Sequence, residues 1–349
     1  MAERRLRAGI IGLGVGEQHI RGYEADLRCQ VAILCDRDLD KLSEVNARYP
    51  GKVAVSHAMA VVQDASLDVV SVASYDDDHR AHVVAALQAG KHVFVEKPLC
   101  LTSSELQDIV DHLNRRPDLR LSSNLILRRS PRFIWLKQQI TAGRLGVPYY
   151  VEADYNYGRL HKITEGWRGR IPHYSVMHGG GIHVLDLITW LLGQWPLEVA
   201  AFGNRIVSAG TTFNNFDFIV SLLRFESGLI AKVSANFGCV FPHHHNLMVY
   251  GTQASFMHNE RGAWWYASRD PVESPVKVDA PYPAMAKGDM LPSFVRSILD
   301  GSYPDVTEEE VVRVMAISLA AQQAAETSAP VKINYPVLGP RTFSRERVT

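Results

Sequence analysis

The first half of the chain alternates short apolar runs with amphipathic segments. Leu6 to Ile11 and His92 to Val95 are apolar runs of strand length, and HRAHVVAALQAG and SSELQDIVDHLNRR have the spacing of helices. Strands that alternate with helices predict a parallel, doubly wound sheet of the α/β class. Leu119 to Leu125 is expected to be its last strand, so the first domain is predicted over residues 1–125.

The second half has a different pattern. Pro148 to Tyr157, Phe216 to Phe225 and Leu229 to Phe237 alternate apolar and polar side chains, which is typical of strands with one buried face. This pattern predicts an open, mostly antiparallel sheet with helices on one face, an α+β arrangement, over residues 126–349. The alanine-rich segment 307–328 is expected to form a final amphipathic helix that packs against the first domain.

Composition excludes several classes of protein. The chain has 349 residues, of which 46% are hydrophobic, enough for two buried cores. The 37 basic and 37 acidic side chains balance, which gives no electrostatic footprint for nucleic acid or an anionic membrane. The four cysteines form no C-x-x-C pair, and no signal peptide or membrane span is apparent. We therefore expect a reduced, cytoplasmic protein.

A glycine-rich turn follows the first predicted strand and precedes a predicted helix. Glycines in such a turn let the backbone approach a pyrophosphate, and the free N–H groups at the helix start favour its charge. The fingerprint is imperfect, because Glu17 stands where the usual third glycine would be, and an ordinary tight turn is the alternative. The residues of the turn are Gly12, Leu13, Gly14, Val15 and Gly16.

Asp36 strengthens the nucleotide interpretation. It follows the second predicted strand, at the distance expected for a carboxylate that binds a ribose 2′-hydroxyl. The alternative is a helix cap or a turn residue. We expect NAD rather than NADP, because an ionised Asp36 would repel a 2′-phosphate, whereas Arg37 beside it could accept one and leaves NADP possible.

Lys97 stands at the end of the fifth predicted strand. The carboxyl edge of a parallel sheet faces the ligand crevice, and Pro98 restricts the backbone at this point. A lysine here can hydrogen-bond a substrate hydroxyl or stabilise the alkoxide as hydride leaves. Glu96 could hold its ammonium group in place, and a solvated Lys–Glu pair is the alternative.

His183 and Asp186 lie three residues apart, on the same face of a predicted helix that follows three glycines, Gly179 to Gly181. A histidine at a helix start suits a general acid or base, and Asp186 could orient its imidazole. The alternative is a histidine satisfied by a local carbonyl, with a capping or solvated aspartate.

Further side chains suit a carbohydrate, whose ring faces stack on aromatics while its hydroxyls form hydrogen bonds. Tyr157 and Arg168 are candidates, and Arg168 could instead hold a phosphate or carboxylate. In the run Phe241 to Asn246, His243 and His245 would share one face of an extended segment. No Cys, Asp or Glu lies near enough in sequence to complete a metal site, so we expect none and predict that His244 contacts substrate instead.

Four segments together resemble the Gfo/Idh/MocA oxidoreductase family, named for glucose–fructose oxidoreductase and inositol dehydrogenase. The likeness covers nearly the whole chain. The segments are the G-L-G-V-G turn with His19, the Ser74-Tyr75-Asp76 loop with His79, AGKHVFVEKP and GGGIHVLDLITWLLG.

The resemblance implies a Rossmann domain followed by an open sheet that often mediates dimers or tetramers, so a homodimer or homotetramer is expected. It implies that Lys97 and His183 lie at the substrate and that Asp186 supports the histidine. The matching segments add Ser74, Tyr75, His79, Glu96 and Lys97 to the expected cofactor-binding residues.

One departure affects the identity of the general base. Many family members carry an aspartate four residues before the histidine, where this chain has Gly179. Either His183 acts without that partner, supported by Asp186, or His178 fills part of the gap and contacts substrate.

The predicted function is NAD(P)-dependent hydride transfer between nicotinamide and a ring carbon of a sugar, polyol or nucleotide-activated sugar. A redox-neutral glycosidase of the same family, which uses NAD⁺ only transiently, is a second possibility. A sugar-sensing regulator is a third. It ranks lowest, because such relatives commonly lose the lysine or the histidine, and this chain has both.

Overall fold

A computed structural model describes residues 5–343 of the chain. They form two compact units, each built from more than one stretch of sequence. The first unit contains residues 5–126, 286–313 and 336–343, and the second contains residues 127–285 and 314–335. The first unit therefore includes two segments that follow the second unit's main stretch, in addition to the predicted 1–125.

The first unit contains a six-stranded parallel sheet, which confirms the predicted doubly wound fold. The strand order is β3-β2-β1-β4-β5-β6, and every neighbouring pair is parallel. The last strand is three residues long, shorter than predicted. The elements are β1 (Leu6–Ile11), α1 (Glu17–Glu24), β2 (Cys29–Cys35), α2 (Leu39–Arg48), β3 (Val53–Val55), α3 (Ala58–Gln63), β4 (Val69–Val72), α4 (His79–Gln88), β5 (His92–Val95), α5 (Ser103–Arg115) and β6 (Leu121–Ser123).

The order of the strands reverses at β1, which has β2 on one side and β4 on the other. Ligands of open α/β sheets bind outside the carboxyl ends of the strands at such a switch point, because the chain leaves the two strands toward opposite faces. The segments that follow β1 and β4 are the glycine turn and the loop that begins with Ala73 and Ser74.

The second unit contains a nine-stranded sheet in the order β14-β13-β12-β11-β7-β10-β9-β8-β15. It is mostly antiparallel, as predicted, but β7 and β10 are parallel. Strands β8, β9 and β10 are antiparallel to one another in succession, and the last of them then pairs with β7. The elements are α6 (Pro131–Thr141), β7 (Pro148–Asn156), α7 (His161–Thr164), α8 (Ile182–Leu192), β8 (Pro196–Asn204), β9 (Phe218–Phe225), β10 (Ile230–Asn236), β11 (His244–Gly251), β12 (Ser255–Asn259), β13 (Gly262–Tyr266), β14 (Val276–Lys277) and β15 (Val331–Lys332).

Two helices lie between β14 and β15 in the chain, α9 (Leu291–Leu299) and α10 (Glu308–Thr327). Thr307 and Glu310 start α10 with a reciprocal cap, since the Thr307 N–H donates to Glu310 Oε2 at 2.9 Å and the Glu310 N–H donates to Thr307 Oγ1 at 3.2 Å. In the first turn, Glu308 Oε1 accepts a hydrogen bond from the Leu121 N–H of β6 at 3.2 Å. The first turn of α10 is thereby fixed to the edge of the parallel sheet.

A buried polar network, formed by His19, Ser71, Glu96 and Asn124, joins four elements of the first unit. His19 Nε2 donates to Glu96 Oε1 at 3.1 Å, and its Nδ1 lies 2.8 Å from Ser71 Oγ. Asn124 Nδ2 donates to the same Glu96 oxygen at 2.7 Å. Since Lys97 follows Glu96 directly, the network fixes the backbone from which the lysine extends.

The network also decides the charge of Glu96. Burial disfavours the ionised carboxylate, but the hydrogen bond and charge of His19, the charge of Lys287 and the hydrogen bond from Asn124 outweigh it and lower the pKa of Glu96 to about 2. A carboxylate whose pKa is lower in the folded than in the unfolded protein stabilises the fold above its unfolded pKa, here 4.5. That contribution is lost as pH falls toward 2.

We predict that Glu96→Gln lowers the free energy of unfolding by about 1–3 kcal/mol at pH 7, because His19 and Asn124 lose a charged acceptor inside the protein. The difference from wild type should shrink below pH 4.5 and vanish near pH 2. Urea unfolding at a series of pH values measures it, with Glu226→Gln in an exposed turn as the control. A deficit that stays constant down to pH 2.5 would contradict the assignment.

Candidate active site

At two positions of the turn after β1, neighbouring backbone lies so close that only glycine fits. Gly12 has φ +88°, and a Cβ there would lie 2.2 Å from the Ala73 carbonyl oxygen that follows β4. A Cβ on Gly16 would lie 2.1 Å from the Gly12 carbonyl oxygen. The turn is therefore packed tightly against the loop at the switch point, where only glycine leaves room.

Asp36 lies beside this turn, as predicted. Its Oδ2 accepts a hydrogen bond from the Leu13 N–H at 2.7 Å, and its Oδ1 accepts one from the Asp38 N–H at 3.0 Å. The helix cap is Asp38, which accepts from the Lys41 N–H at 3.0 Å. Asp36 is thus a turn residue and a carboxylate at the nucleotide end, while the Leu13 N–H is already bonded to it.

Arg37 and Tyr75 approach each other at the same edge. The Arg37 guanidinium carbon lies 3.9 Å from the centre of the Tyr75 ring, a cation–π distance. A guanidinium nitrogen of Arg37 is 3.8 Å from an Asp78 oxygen, and both side chains are largely exposed. The arginine therefore packs over Tyr75, a residue predicted to bind the cofactor.

His79 positions loops rather than facing a ligand. Its side chain is fully buried, and its Nδ1 and Nε2 lie 2.6 Å and 3.1 Å from the carbonyl oxygens of Pro98 and Ser74. The Lys97–Pro98 peptide bond between β5 and α5 is cis. We correct the prediction that His79 binds the cofactor directly: it holds the Ser74 loop next to the segment that carries Lys97. Glu96, also buried, has the positioning role described above.

In the second unit, His183 is the second residue of α8, which follows a π-helical turn, Met177–Gly181. Its ring stacks on Tyr155, with centroids 6.0 Å apart and planes 20° apart. Its centroid is 6.4 Å from that of His245. The predicted general base therefore lies among aromatic rings, an environment that limits its rotation.

Asp186 has a partner that the sequence analysis missed. Arg128 and Asp186 form an ion pair, with an Arg128 nitrogen 2.6 Å from Asp186 Oδ1 and Nε 3.0 Å from Oδ2. Both side chains are buried. A buried pair is stable only with close contacts of this kind, so the first turn of α8 is fixed to the segment before α6.

His178 and Gly179 lie in the π-helical turn before α8, and Gly179 is the position at which the family resemblance implies an aspartate. His178 Nδ1 lies 2.7 Å from Ser318 Oγ of α10, and burial lowers the pKa of His178 to about 3, so it is neutral near pH 7. A Cβ on Gly179 would lie 2.0 Å from the hydroxyl oxygen of Tyr174, which is 1% exposed. The phenol therefore fills the space in which an acidic side chain at 179 would begin.

The three adjacent histidines, His243 to His245, point alternately to the two sides of the extended segment. His243 and His245 both contact the Tyr155 ring, each at 5.2 Å between centroids, so the prediction that they share a face is confirmed. His244 instead lies 4.9 Å from His258. His245 is the member of the run next to His183, and the contact of His244 with substrate stays a prediction.

His245 is held by Tyr282, another residue that the sequence analysis missed. The Tyr282 hydroxyl lies 2.5 Å from His245 Nδ1, and burial lowers the pKa of His245 well below its usual value. Nothing in the local sequence around Tyr282 connects it with a strand 37 residues earlier. Arg128 gave more signal, because it follows directly on the apolar run Leu125 to Leu127.

Tyr157 and Arg168 are the remaining predicted substrate residues. The Tyr157 ring stacks on Tyr155, with centroids 5.7 Å apart and planes 23° apart. The Arg168 guanidinium carbon lies 4.3 Å from the centre of the Trp167 ring. Tyr157 therefore belongs to the same group of stacked rings as His183.

The described residues contain neither a cluster of metal ligands nor a membrane-spanning helix. Within residues 5–343, no group of three or more His, Cys, Asp or Glu side chains is placed to hold a metal ion. Over the same residues, no helix has both the length and the apolar character needed to cross a bilayer.

Known proteins resemble the chain over most of its length. Residues 6–124 match the model described as an oxidoreductase family with an NAD-binding Rossmann fold, and residues 133–257 match the GFO/IDH/MocA C-terminal domain. Myo-inositol 2-dehydrogenase of Thermotoga maritima is 23% identical over 94% of this chain and 98% of its own.

Two solved structures have a similar fold. Levoglucosan dehydrogenase in complex with NADH and levoglucosan has a TM-score of 0.83 and 19% identity over 95% of this chain and 100% of its own. UDP-N-acetylglucosamine 3-dehydrogenase from Acidithiobacillus ferrooxidans has a TM-score of 0.74 and 24% identity over 93% and 99%. Together with the matched domains, the turn at the switch point and the lysine and histidine segments, these findings place the chain in the Gfo/Idh/MocA family of NAD-binding oxidoreductases.

Proposed function

We propose that the protein is an NAD-dependent dehydrogenase that acts on a CH–OH group at a ring carbon of a sugar, polyol or nucleotide-activated sugar. The observation that carries the proposal is the bond between His19 and Glu96. It fixes helix α1, which begins at the glycine turn, to the residue that precedes Lys97. One rigid network thus supports both the nucleotide end and the reactive lysine.

The residues at the switch point fit a dinucleotide. A Cβ on Gly14 would meet nothing within 4 Å, so open space lies above the middle of the turn, whereas Gly12 and Gly16 are closely packed. The turn and the start of α1 would hold the pyrophosphate, and Asp36 would bind the ribose hydroxyls. When bound, NAD supplies a nicotinamide ring that exchanges hydride with the substrate.

The same edge favours NAD over NADP. Asp36 places a carboxylate beside the turn, and a carboxylate repels a 2′-phosphate. Arg37, the residue that could attract such a phosphate, packs over the Tyr75 ring with Asp78 close by. Binding of NADP would require Arg37 to leave these contacts.

Lys97 and His183 are the residues proposed to handle the proton of the substrate hydroxyl. An ammonium group donates hydrogen bonds to a hydroxyl and stabilises the alkoxide that develops during oxidation. A neutral imidazole can accept the proton. The buried Arg128–Asp186 pair keeps the first turn of α8 in place, so that His183 stays stacked on Tyr155.

The aromatic surroundings of His183 suit a ring-shaped polyhydroxylated substrate. Tyr157 and His183 are partly exposed rings that stack on the buried Tyr155, and sugars and cyclitols present C–H faces that pack on such rings. The similar proteins described above are named for a cyclitol, an anhydrosugar and a nucleotide sugar. The proposed substrate range covers these three classes.

We also propose that two or four copies associate through the open face of the nine-stranded sheet. Leu222, Lys232 and Glu152 are cross-strand neighbours and therefore point to the same side. Leu222 is 52% exposed. Phe202 in β8 and Ile230 in β10 are 66% and 46% exposed. A broad face with exposed apolar side chains is typical of a subunit interface.

Two glycine substitutions separate cofactor binding from folding. Gly14→Ala should leave the free energy of unfolding within about 0.5 kcal/mol of wild type and weaken NAD⁺ binding at least about tenfold, because its methyl group enters open space above the turn. Gly16→Ala should destabilise by about 1–3 kcal/mol, because its methyl group meets the Gly12 carbonyl. Calorimetry and urea unfolding measure the two effects, and undiminished NAD⁺ affinity in Gly14→Ala would count against the site.

The activity itself is tested by absorbance of reduced nicotinamide with NAD⁺ and a panel of polyols, sugars and UDP-sugars. One member should be oxidised, and Lys97→Met should lower kcat/KM by about 10²–10⁴-fold. Lys277→Met, whose side chain is largely exposed, is the matched control. Full activity in Lys97→Met would refute the assignment, and release of an aglycone without net NADH would indicate the glycosidase instead.

Light scattering after size-exclusion chromatography tests the subunit contact. Wild type should elute as a dimer or tetramer, and Leu222→Glu should reduce the mass, because it places charge within the apolar face. Leu27→Glu, on an exposed position of the first unit, should leave the mass unchanged. A wild-type monomer at micromolar concentration would exclude this interface.

A further inference from the structure

The loop of residues 158–173 is strongly basic in a chain with no net charge. It carries Arg159, Lys162, Arg168 and Arg170 against a single acid, Glu165, while the whole chain has 37 basic and 37 acidic residues. Within the described residues 5–343, Arg159, Lys162 and Arg170 form no ion pair with a carboxylate. The positive charge of these three side chains is therefore not neutralised by a carboxylate contact within the described residues.

The loop is a compact structure with fixed ends. Ile163 and Ile171 are buried, and they anchor α7 and the 3₁₀ turn Trp167–Arg170. A Cβ on Gly169 would lie 2.0 Å from the Ile163 carbonyl oxygen, and one on Gly158 would lie 1.9 Å from that of Phe241. The backbone is thus packed against itself and its neighbours, which presents the basic side chains from a stable support.

Stacked side chains connect this loop to His183. The His183 ring stacks on Tyr155, and Tyr155 stacks on Tyr157. The Arg159 guanidinium carbon then lies 5.1 Å from the centre of the Tyr157 ring. Arg159 is therefore three contacts away from the proposed general base, farther than a substituent on the reacting carbon itself would extend.

A second arginine of the loop, Arg168, also lies close enough to Tyr155 for its charge to act on that side chain. Burial, followed by the nearby Tyr157, raises the pKa of Tyr155, while the charges of Arg168 and Arg159 act in the opposite direction. Arg168 also packs on an aromatic ring of the loop, with its guanidinium carbon 4.3 Å from the centre of the Trp167 ring. Guanidinium groups bind phosphate through paired hydrogen bonds, and exposed aromatic faces beside them can pack on a sugar or a base.

We infer that residues 158–173 form a binding site for a phosphate group of the substrate, either a sugar phosphate or the diphosphate of a nucleotide-activated sugar, with Arg159 and Arg168 as its main ligands. This inference rests on the proposed function, and it selects the phosphorylated members of the proposed substrate range. The phosphate lies at the far end of the stacked side chains, and the carbon that is oxidised lies at His183.

Calorimetry with the NADH-saturated protein tests the site without turnover, since a filled nucleotide site cannot bind the probe. The probes are UDP and inorganic phosphate. UDP should bind, and Arg159→Gln and Arg168→Gln should each weaken it at least about tenfold, since a hydrogen bond between charged groups is lost. Arg261→Gln, at an exposed arginine of the same unit, is the matched control and should not change the affinity. Raising the salt concentration should also weaken UDP binding.

Turnover provides the second readout. The wild-type kcat/KM should be at least about tenfold higher for a UDP-sugar or sugar 1-phosphate than for the free sugar, and a sugar acid should gain less. A UDP-sugar that exceeds the sugar 1-phosphate identifies the nucleotide form, and the reverse identifies the simple ester.

Failure of the inference differs from failure of the proposed function. If UDP and phosphate do not bind, or if Arg261→Gln weakens UDP as much as Arg159→Gln does, the phosphate site is refuted even when a neutral polyol reduces NAD⁺. Equal kcat/KM for free and phosphorylated sugars also refutes it. If no panel member reduces NAD⁺ while UDP binds through Arg159 and Arg168, the site stands and the dehydrogenase proposal fails.

Discussion

An ionised carboxylate inside the first unit is the constraint on which much of this structure depends. Glu96 is 7% exposed, and burial alone would keep it protonated. His19 and Asn124 supply the hydrogen bonds that stabilise its charge, and these residues come from α1 and from the segment after β6. Because the charge needs both partners, the elements that carry them must keep their relative positions. The glycine turn and Lys97 are therefore held by one network.

In the second unit, by contrast, burial keeps several histidine side chains neutral. Burial lowers the pKa of His178 and His258 to about 3 and that of His245 well below its usual value. The Ser318 hydroxyl lies against Nδ1 of His178, the Arg132 guanidinium against Nδ1 of His258 and the Tyr282 hydroxyl against Nδ1 of His245. Neutral imidazoles that are fixed by such contacts keep their donor and acceptor nitrogens in set directions inside the protein. The same unit also contains the buried Arg128–Asp186 ion pair and the basic loop of residues 158–173.

Much of the fold could be predicted from the sequence, because its signals are local. Apolar runs of four to six residues, separated by amphipathic segments, give the parallel sheet, and alternation gives the strands of the second sheet. Helix α3 has only Val61 and Val62 as buried residues, too few for a periodic pattern, and it was not predicted. The parallel pairing of β7 and β10 also gave no local signal, since it depends on the path of the chain through β8 and β9.

The sequence by itself identified the candidate residues: the glycine turn, Asp36, Lys97, His183 and the basic loop are visible as motifs or as local excesses of charge. Only the tertiary structure decided what each one contacts. Arg128 and Asp186 are 58 positions apart, and His245 and Tyr282 are 37 apart. Side-chain partners at such separations are chosen by the packing of whole elements. Local periodicity specifies an element and its buried face, but it cannot specify which distant side chain that face meets.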